Sequence, residues 1–274
     1  MRLSIFLFPI MFLAMLFSSC QTASRLSGPN GDLSYKVAFP KHFDPQQDTC
    51  TMVILMHGIF SSKDFAPIPR IARTLAKNGY GSIRFDFNGH GHSGGKMEDM
   101  TIAREIEDAK FIWQFVLAQP YTQRVVLLGH SQGGVIASML AGELSGNGSI
   151  PDGLVLIAPG AVIKEATQSG HFFGKAFDPA NPPAYIKCFN MYKLGHDYLE
   201  QTQQLDIYGT SASYQGPACI IHGDRDGIVP LWCSEKYQAI YPNPEFHLVH
   251  GENHLIINKQ RAVIQHIVDF LNKL

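Results

Sequence analysis

The sequence predicts one α/β domain, a mostly parallel central sheet with helices on both faces and a cap inserted late in the chain. Three observations predict it. From residue 52 onward, short apolar runs alternate with segments of helical period, as expected of strands buried on both faces and joined by covering helices. Each apolar run ends near a conspicuous polar or glycine-rich turn, where open α/β sheets bind their ligands. Between residues 160 and 216 the alternation breaks into a stretch of aromatics, prolines and glycines too long for an ordinary loop, and this is the expected cap. A chain of 274 residues, 45% apolar, is long enough to bury such a core.

In chain order, residues 35–39 open an antiparallel edge. The uninterrupted apolar run Met52-Val53-Ile54-Leu55-Met56 makes the first buried strand, and further strands are expected at 81–85, 125–128, 154–157, 218–221 and 246–249. Helices are expected near 69–78, 101–118, 133–144, 233–240 and 259–274, where apolar residues recur at helical spacing.

The first twenty residues read differently. Met1-Arg2 precedes a nearly unbroken apolar run over residues 3–17, interrupted by Pro9, and then Ser18-Ser19-Cys20. A positive end, an apolar centre and small residues at a cut site are the parts of an export signal, and the run is short for a bilayer-spanning helix. Leu16-Phe17-Ser18-Ser19-Cys20 also resembles a bacterial lipobox, which makes Cys20 the expected lipidation site and the bacterial cell envelope the expected location, with the protein lipid-anchored or periplasmic or secreted. The lipid anchor would be its only membrane contact. Residues 21–30 are polar and small, as in a linker, leaving 31–274 as the folded domain. Cys50, Cys188, Cys219 and Cys233 match no disulfide or metal spacing and are expected as buried thiols.

Twenty-two basic and 23 acidic residues leave a formal charge of −1, so no global field favours nucleic acid or an acidic surface. No Walker loop, zinc-finger spacing or heptad run occurs. A small-molecule enzyme that needs neither cofactor nor metal is expected.

The chemistry sits in the turns after strands. Residues 125–128 run into Gly129-His130-Ser131-Gln132-Gly133-Gly134 and then a helix-compatible stretch, which is the G-x-S-x-G elbow in its strand–turn–helix context. There Ser131 is lifted towards substrate beside the positive N-terminus of a helix. A serine hydroxyl is a poor nucleophile near neutral pH and needs a base held in one tautomer. Downstream stand His222-Gly223-Asp224-Arg225-Asp226-Gly227-Ile228-Val229-Pro230 and His250-Gly251-Glu252-Asn253-His254. Among twelve histidines, His254 is preferred to His250 because it lies in the loop beyond the strand. Asp224 and Asp226 both remain candidates for the acid. One oxyanion donor is the backbone N–H of Gln132; the other belongs to the loop His57-Gly58-Ile59-Phe60. Asp86-Phe87-Asn88-Gly89-His90-Gly91-His92-Ser93-Gly94 lacks a P-loop lysine and reads as a structural turn.

With these residues in place, the chain resembles the bacterial cinnamoyl (feruloyl) esterases of the α/β-hydrolase fold, from about residue 35 to 271. The strings Gly129-His130-Ser131-Gln132-Gly133-Gly134-Val135-Ile136-Ala137-Ser138-Met139-Leu140-Ala141-Gly142, Leu156-Ile157-Ala158-Pro159 and Gln204-Leu205-Asp206-Ile207-Tyr208 carry the likeness. The resemblance implies a triad of Ser131, Asp226 and His254, with Asp226 placed by the pattern H-G-x-x-D-x-x-V-P and Ile59 as the second oxyanion donor, Phe60 being a substitute. It implies that Tyr198 holds the hydroxyl of an aromatic acyl group under the cap, with Glu165 and Gln168 as further polar contacts. Phe172, Phe173, Phe177, Tyr185, Phe189 and Tyr192 could wall the ring. Hydrolysis of hydroxycinnamate esters is therefore expected. A general carboxylesterase, a monoacylglycerol lipase or a serine peptidase shares the triad and differs in the cap, and a non-catalytic binding protein is the alternative from another class.

Overall fold

The computed structural model describes residues 24–274. The expected signal segment, Cys20 and the first residues of the expected linker lie outside the described residues. The chain runs β1 (Ser24–Gly28), β2 (Gly31–Ala38), β3 (Cys50–Met56), α1 (Ile68–Lys77), β4 (Gly81–Phe85), α2 (Ile102–Leu117), β5 (Thr122–His130), α3 (Gln132–Gly146) and β6 (Gly153–Ile157). The cap follows as α4 (Ile163–Gln168), β7 (His171–Phe172), β8 (Lys175–Ala176), β9 (Tyr185–Cys188), β10 (Tyr192–Gly195), α5 (His196–Gln201) and α6 (Ile207–Ser211). The chain then closes with β11 (Ala218–Gly223), α7 (Leu231–Ile240), β12 (Glu245–Val249) and α8 (Gln260–Leu271).

Eight strands form one sheet in the order β1-β2-β4-β3-β5-β6-β11-β12. β1, β2 and β4 pair antiparallel, and from β4 to β12 every pairing is parallel. The uninterrupted apolar runs are explained by two cores. Met52, Ile54, Met56, Leu127 and Leu156 face one side, with α2, α3 and the cap, whereas Val53, Leu55, Val126, Leu128, Val155 and Ile221 face the other, against α1 and α8. Each such side chain contributes about 1.5–3 kcal/mol by leaving water, so a polar residue at almost any of these positions would be costly.

Two expectations need correction. Residues 24–28 are not linker but the edge strand β1, registered Ser24 to Tyr35 and Gly28 to Gly31. Only one face of an edge strand packs inward, so its polar, small composition reads like a tether although Leu26 packs against the core. β2, expected as the edge, is therefore an interior strand. Cys50, Cys188, Cys219 and Cys233 are buried and unpaired. Among the described residues no helix is long and apolar enough to cross a membrane.

Candidate active site

The elbow is set by backbone collisions that only glycine avoids. A Cβ at Gly129 would strike the backbone of Gly133, and one at Gly133 would lie 2.5 Å from the His57 and Met56 carbonyl oxygens, so β5 can turn straight into α3 only with glycine at both places. Between them Ser131 takes φ 57° and ψ −125°, a region costly for a residue with a Cβ. The surroundings hold it there: its N–H donates to the Ile157 carbonyl, and its own carbonyl accepts from Gly134 and Gly160, each at 2.9 Å.

Ser131, His254 and Asp226, far apart in sequence, meet. His254 Nε2 lies 2.9 Å from Ser131 Oγ, and His254 Nδ1 lies 2.7 Å from Asp226 Oδ2. The other carboxylate oxygen of Asp226 accepts the N–H groups of Ile228 and Val229, each at 2.8 Å. Burial alone would raise this carboxyl; the hydrogen bond and charge of His254 and the two backbone donors outweigh it and hold its pKa below the ordinary aspartate value. The carboxylate thus requires a proton on Nδ1 and leaves Nε2 to accept from the serine hydroxyl. The rivals are engaged with each other: His250 Nδ1 lies 2.9 Å from Asp224 Oδ2, in the open.

Three further histidines frame the site. His130 Nε2 donates to the His254 carbonyl at 2.8 Å, and burial beside His254 pushes its pKa down to about 3, so it stays neutral. His57 Nε2 accepts the Phe87 N–H at 3.2 Å, which puts the ring proton on Nδ1, 2.8 Å from the Gly58 carbonyl it donates to. That ring fixes the loop after β3 where Gly58 faces Ser131, for a Cβ on Gly58 would come within 2.8 Å of the Ser131 Cβ. His222 is held by Ser234 Oγ at 2.7 Å and the Val229 carbonyl at 3.0 Å.

Among the described residues, neither the N–H of Ile59 nor that of Gln132 is spent on a protein hydrogen bond. Both belong to the two segments that flank Ser131. Phe60, next to Ile59, has φ 57°. Its ring stacks on Tyr192 at 4.8 Å and meets Phe173 at 5.4 Å and Phe189 at 5.8 Å, so the cap grips the loop in a conformation that a bulky residue would otherwise avoid.

Tyr198 is not placed as expected. It is fully buried, and its hydroxyl donates to Gln132 Oε1 at 2.8 Å, so it is committed to the protein rather than open to a ligand. Glu165 pairs with Lys236 at 3.6 Å and Gln168 donates to the Gln203 carbonyl at 2.9 Å, and they too are engaged elsewhere. Three supports went unnoticed in the sequence. Glu252, fully buried, accepts the N–H groups of Asn253, Asn258 and Lys259 and thereby shapes the His254 loop. Lys63 and Asp86, both fully buried, pair at 2.7 Å and join the loops after β3 and β4. Glu105 accepts from Gln132 Nε2 at 2.7 Å. Its helical spacing from Ile102, Ala109 and Ile112 was the available signal, because it puts a carboxyl on the apolar stripe of α2.

Residues 47–211, more than half of the chain, match the family described as serine aminopeptidase, S33. The chain belongs to that family. This S33 chain is 24% identical over 194 residues to a lysophosphatidylserine lipase, ABHD12, of Danio rerio, covering 69% of the chain and 47% of that protein. It is also 24% identical over 232 residues to the Xenopus tropicalis lipase of the same name, covering 80% and 57%. The chain spans about half the length of these curated relatives. Among solved structures it is similar to Est1E from Butyrivibrio proteoclasticus with ferulic acid bound, with TM-score 0.85 and 25% identity over 92% of this chain and 98% of that one. XC6422 from Xanthomonas campestris, an α/β serine hydrolase without lid, shares the fold at TM-score 0.63 and 20% identity, covering 95% and 97%. The protein has the α/β-hydrolase fold and belongs to that superfamily.

Proposed function

We propose that the protein is a carboxylesterase that hydrolyses hydroxycinnamate esters through an acyl-enzyme on Ser131. The observation that carries this is the continuous hydrogen-bonded series from Ser131 Oγ through His254 to Asp226, on a serine held at the head of α3. His254 Nε2 takes the hydroxyl proton as Oγ attacks the ester carbonyl carbon, and the N–H groups of Ile59 and Gln132 receive the oxyanion. The imidazolium, stabilised by Asp226, returns the proton to the departing alcohol. Water, deprotonated by the same imidazole, then attacks the acyl carbon, and release of the acid restores the serine hydroxyl. No step calls for a cofactor.

The aromatic acyl group is supported by the similarity to a structure holding ferulic acid and by the rings of Phe60, Phe173, Phe189 and Tyr192 packed beside the oxyanion loop. A second reading, hydrolysis of a lysophospholipid or monoacylglycerol, is favoured by the lipase relatives and by the exposure of Phe189 (62%) and Met191 (72%) at the cap tip. The deciding experiment compares kcat/KM for methyl ferulate, lysophosphatidylserine, a monoacylglycerol and an aminoacyl p-nitroanilide, with Ser131→Ala as control. Methyl ferulate turned over at least tenfold better than the rest supports the first reading. Preference for the lipids establishes the second, and preference for the anilide makes the protein a peptidase. For the segment outside the described residues we propose lipidation at Cys20 and envelope tethering. The mass of the mature N-terminus tests this, and an unmodified or uncut Cys20 would refute it.

A further inference from the structure

Gln132 supplies an oxyanion donor from its backbone, yet its side chain is buried and held at both ends. Oε1 accepts the Tyr198 hydroxyl at 2.8 Å, and Nε2 donates to Glu105 Oε2 at 2.7 Å, with the Met100 sulfur 3.7 Å away. Tyr198 comes from α5 in the cap and Glu105 from the first turn of α2, so one side chain ties cap, oxyanion hole and a sheet-covering helix into a single chain of hydrogen bonds. A buried glutamate spent on a neutral amide is an expensive way to fill a core.

We infer that Glu105 and Tyr198 are positioning residues that fix the Gln132 backbone N–H for the oxyanion, and that Glu105 does so in its protonated form. The inference rests on the proposed serine-esterase reading. An oxyanion donor works only if it is aimed before charge develops, and a side chain clamped at both ends cannot rotate its own peptide away. The charge state matters because a carboxylate anion behind Gln132 would oppose the negative charge that the hole must hold. The groups nearest the Glu105 carboxyl, Gln132 and His90, fit a neutral acid, and no salt bridge to Glu105 from a lysine or arginine is seen among the described residues. His90 Nδ1 is 3.8 Å from Oε1, and burial next to His57 pushes its pKa down to about 3, so it offers no cation. Tyr198 and Gln132 are neutral. Asp108, one turn along α2, adds like charge. Arg104, Lys96 and Asp99 line the same cavity of about 260 Å³ as Glu105, Asp108, Asn30 and Asn88, but Arg104 Nη1 is taken by the Asp99 carbonyl, at 2.5 Å. Burial, reinforced by Asp108 against the hydrogen bond from Gln132, raises the Glu105 pKa to about 8. The cavity gives that proton a route to solvent.

The test uses steady-state kinetics from pH 6 to 10 on two esters, p-nitrophenyl acetate, too small to reach the cap, and methyl ferulate. Glu105→Ala and Tyr198→Phe should each lower kcat about tenfold on both esters with KM within about twofold, a fraction of the loss from deleting a donor outright. The double variant should lose little more than either single one, because the two act through one side chain. Glu105→Gln should recover most of what alanine loses and should flatten the decline in kcat that the inference expects of the unaltered protein above about pH 8. Circular dichroism and thermal melts establish that each variant is folded. If Tyr198→Phe raises KM for methyl ferulate alone, Tyr198 touches substrate and the inference is overturned. An alkaline limb that survives in Glu105→Gln overturns the role of the protonated acid. If a variant fails to fold, the affinity of Gln132→Met for a trifluoromethyl ketone decides, since the inference requires at least a tenfold loss and unchanged affinity refutes it. Absent Ser131 labelling in the unaltered protein would overturn the esterase reading as well, whereas normal labelling with unaffected variants sinks only this inference.

Discussion

At the scale of single residues, the proposed triad would divide its work through protonation. Asp226 forces the useful tautomer on His254, so Asp226→Asn should preserve the fold and lower kcat by about 10⁴-fold; stopped-flow or steady-state assays would show it, and a loss under tenfold would remove Asp226 from its role. His57, His90 and His130 are buried neutral, each with a pKa held below the ordinary histidine value first of all by burial. The unfolded chain takes up protons there below about pH 6.5 and the folded one does not, so stability should be lost as pH falls from about 6.5. Glu105 has the opposite sign. Its folded pKa, about 8, lies above its unfolded value, so its contribution is complete at low pH and is lost as pH rises towards and through 8. Denaturant titrations between pH 5 and 9 should therefore find less alkaline loss in Glu105→Gln than in the unaltered protein. Ser131, Asp226 and His254 were legible because each stands in a turn just past a strand, within a motif whose spacing is local. Tyr198 was misread because its partner, Gln132, is 66 residues away, and nothing in Asp197-Tyr198-Leu199 says which way the ring points.

At the scale of elements, the long parallel strands were readable from uninterrupted apolar runs, since both of their faces are buried. β1 was not, because one inward residue in a polar pentapeptide is a weak signal, and the two-residue strands β7 and β8 offer too little chain for any period. Two close approaches carry predictions. A Cβ at Gly142 would collide with the Thr210 carbonyl where α3 meets α6, so Gly142→Ala should destabilise by about 1–3 kcal/mol, despite alanine's better helix propensity. A chemical melt would show the lower midpoint, and an unchanged one would mean that α6 can shift freely. Lys63→Met would leave Asp86 buried and without its cation, which should cost about 3–5 kcal/mol and loosen both the oxyanion loop and the turn after β4. The Asp86 turn read correctly as structural; its lysine did not, because a single lysine in a loop resembles any solvated one.

At the scale of the molecule, the sheet gathers loops that are distant in sequence at one edge. β5, β6, β11 and β12 are neighbours, so Ser131, Asp226 and His254 must converge once the strand order is set. The cap adds a second layer of control: Phe60 is gripped by cap rings and Gln132 by Tyr198, so both segments of the proposed oxyanion hole lean on it. The most direct test of the triad is intact-mass and tandem spectrometry after fluorophosphonate treatment. The expected result is one adduct, located on Ser131, forming at least a hundredfold more slowly in His254→Ala. No adduct on folded protein, or an adduct at another residue, would contradict it.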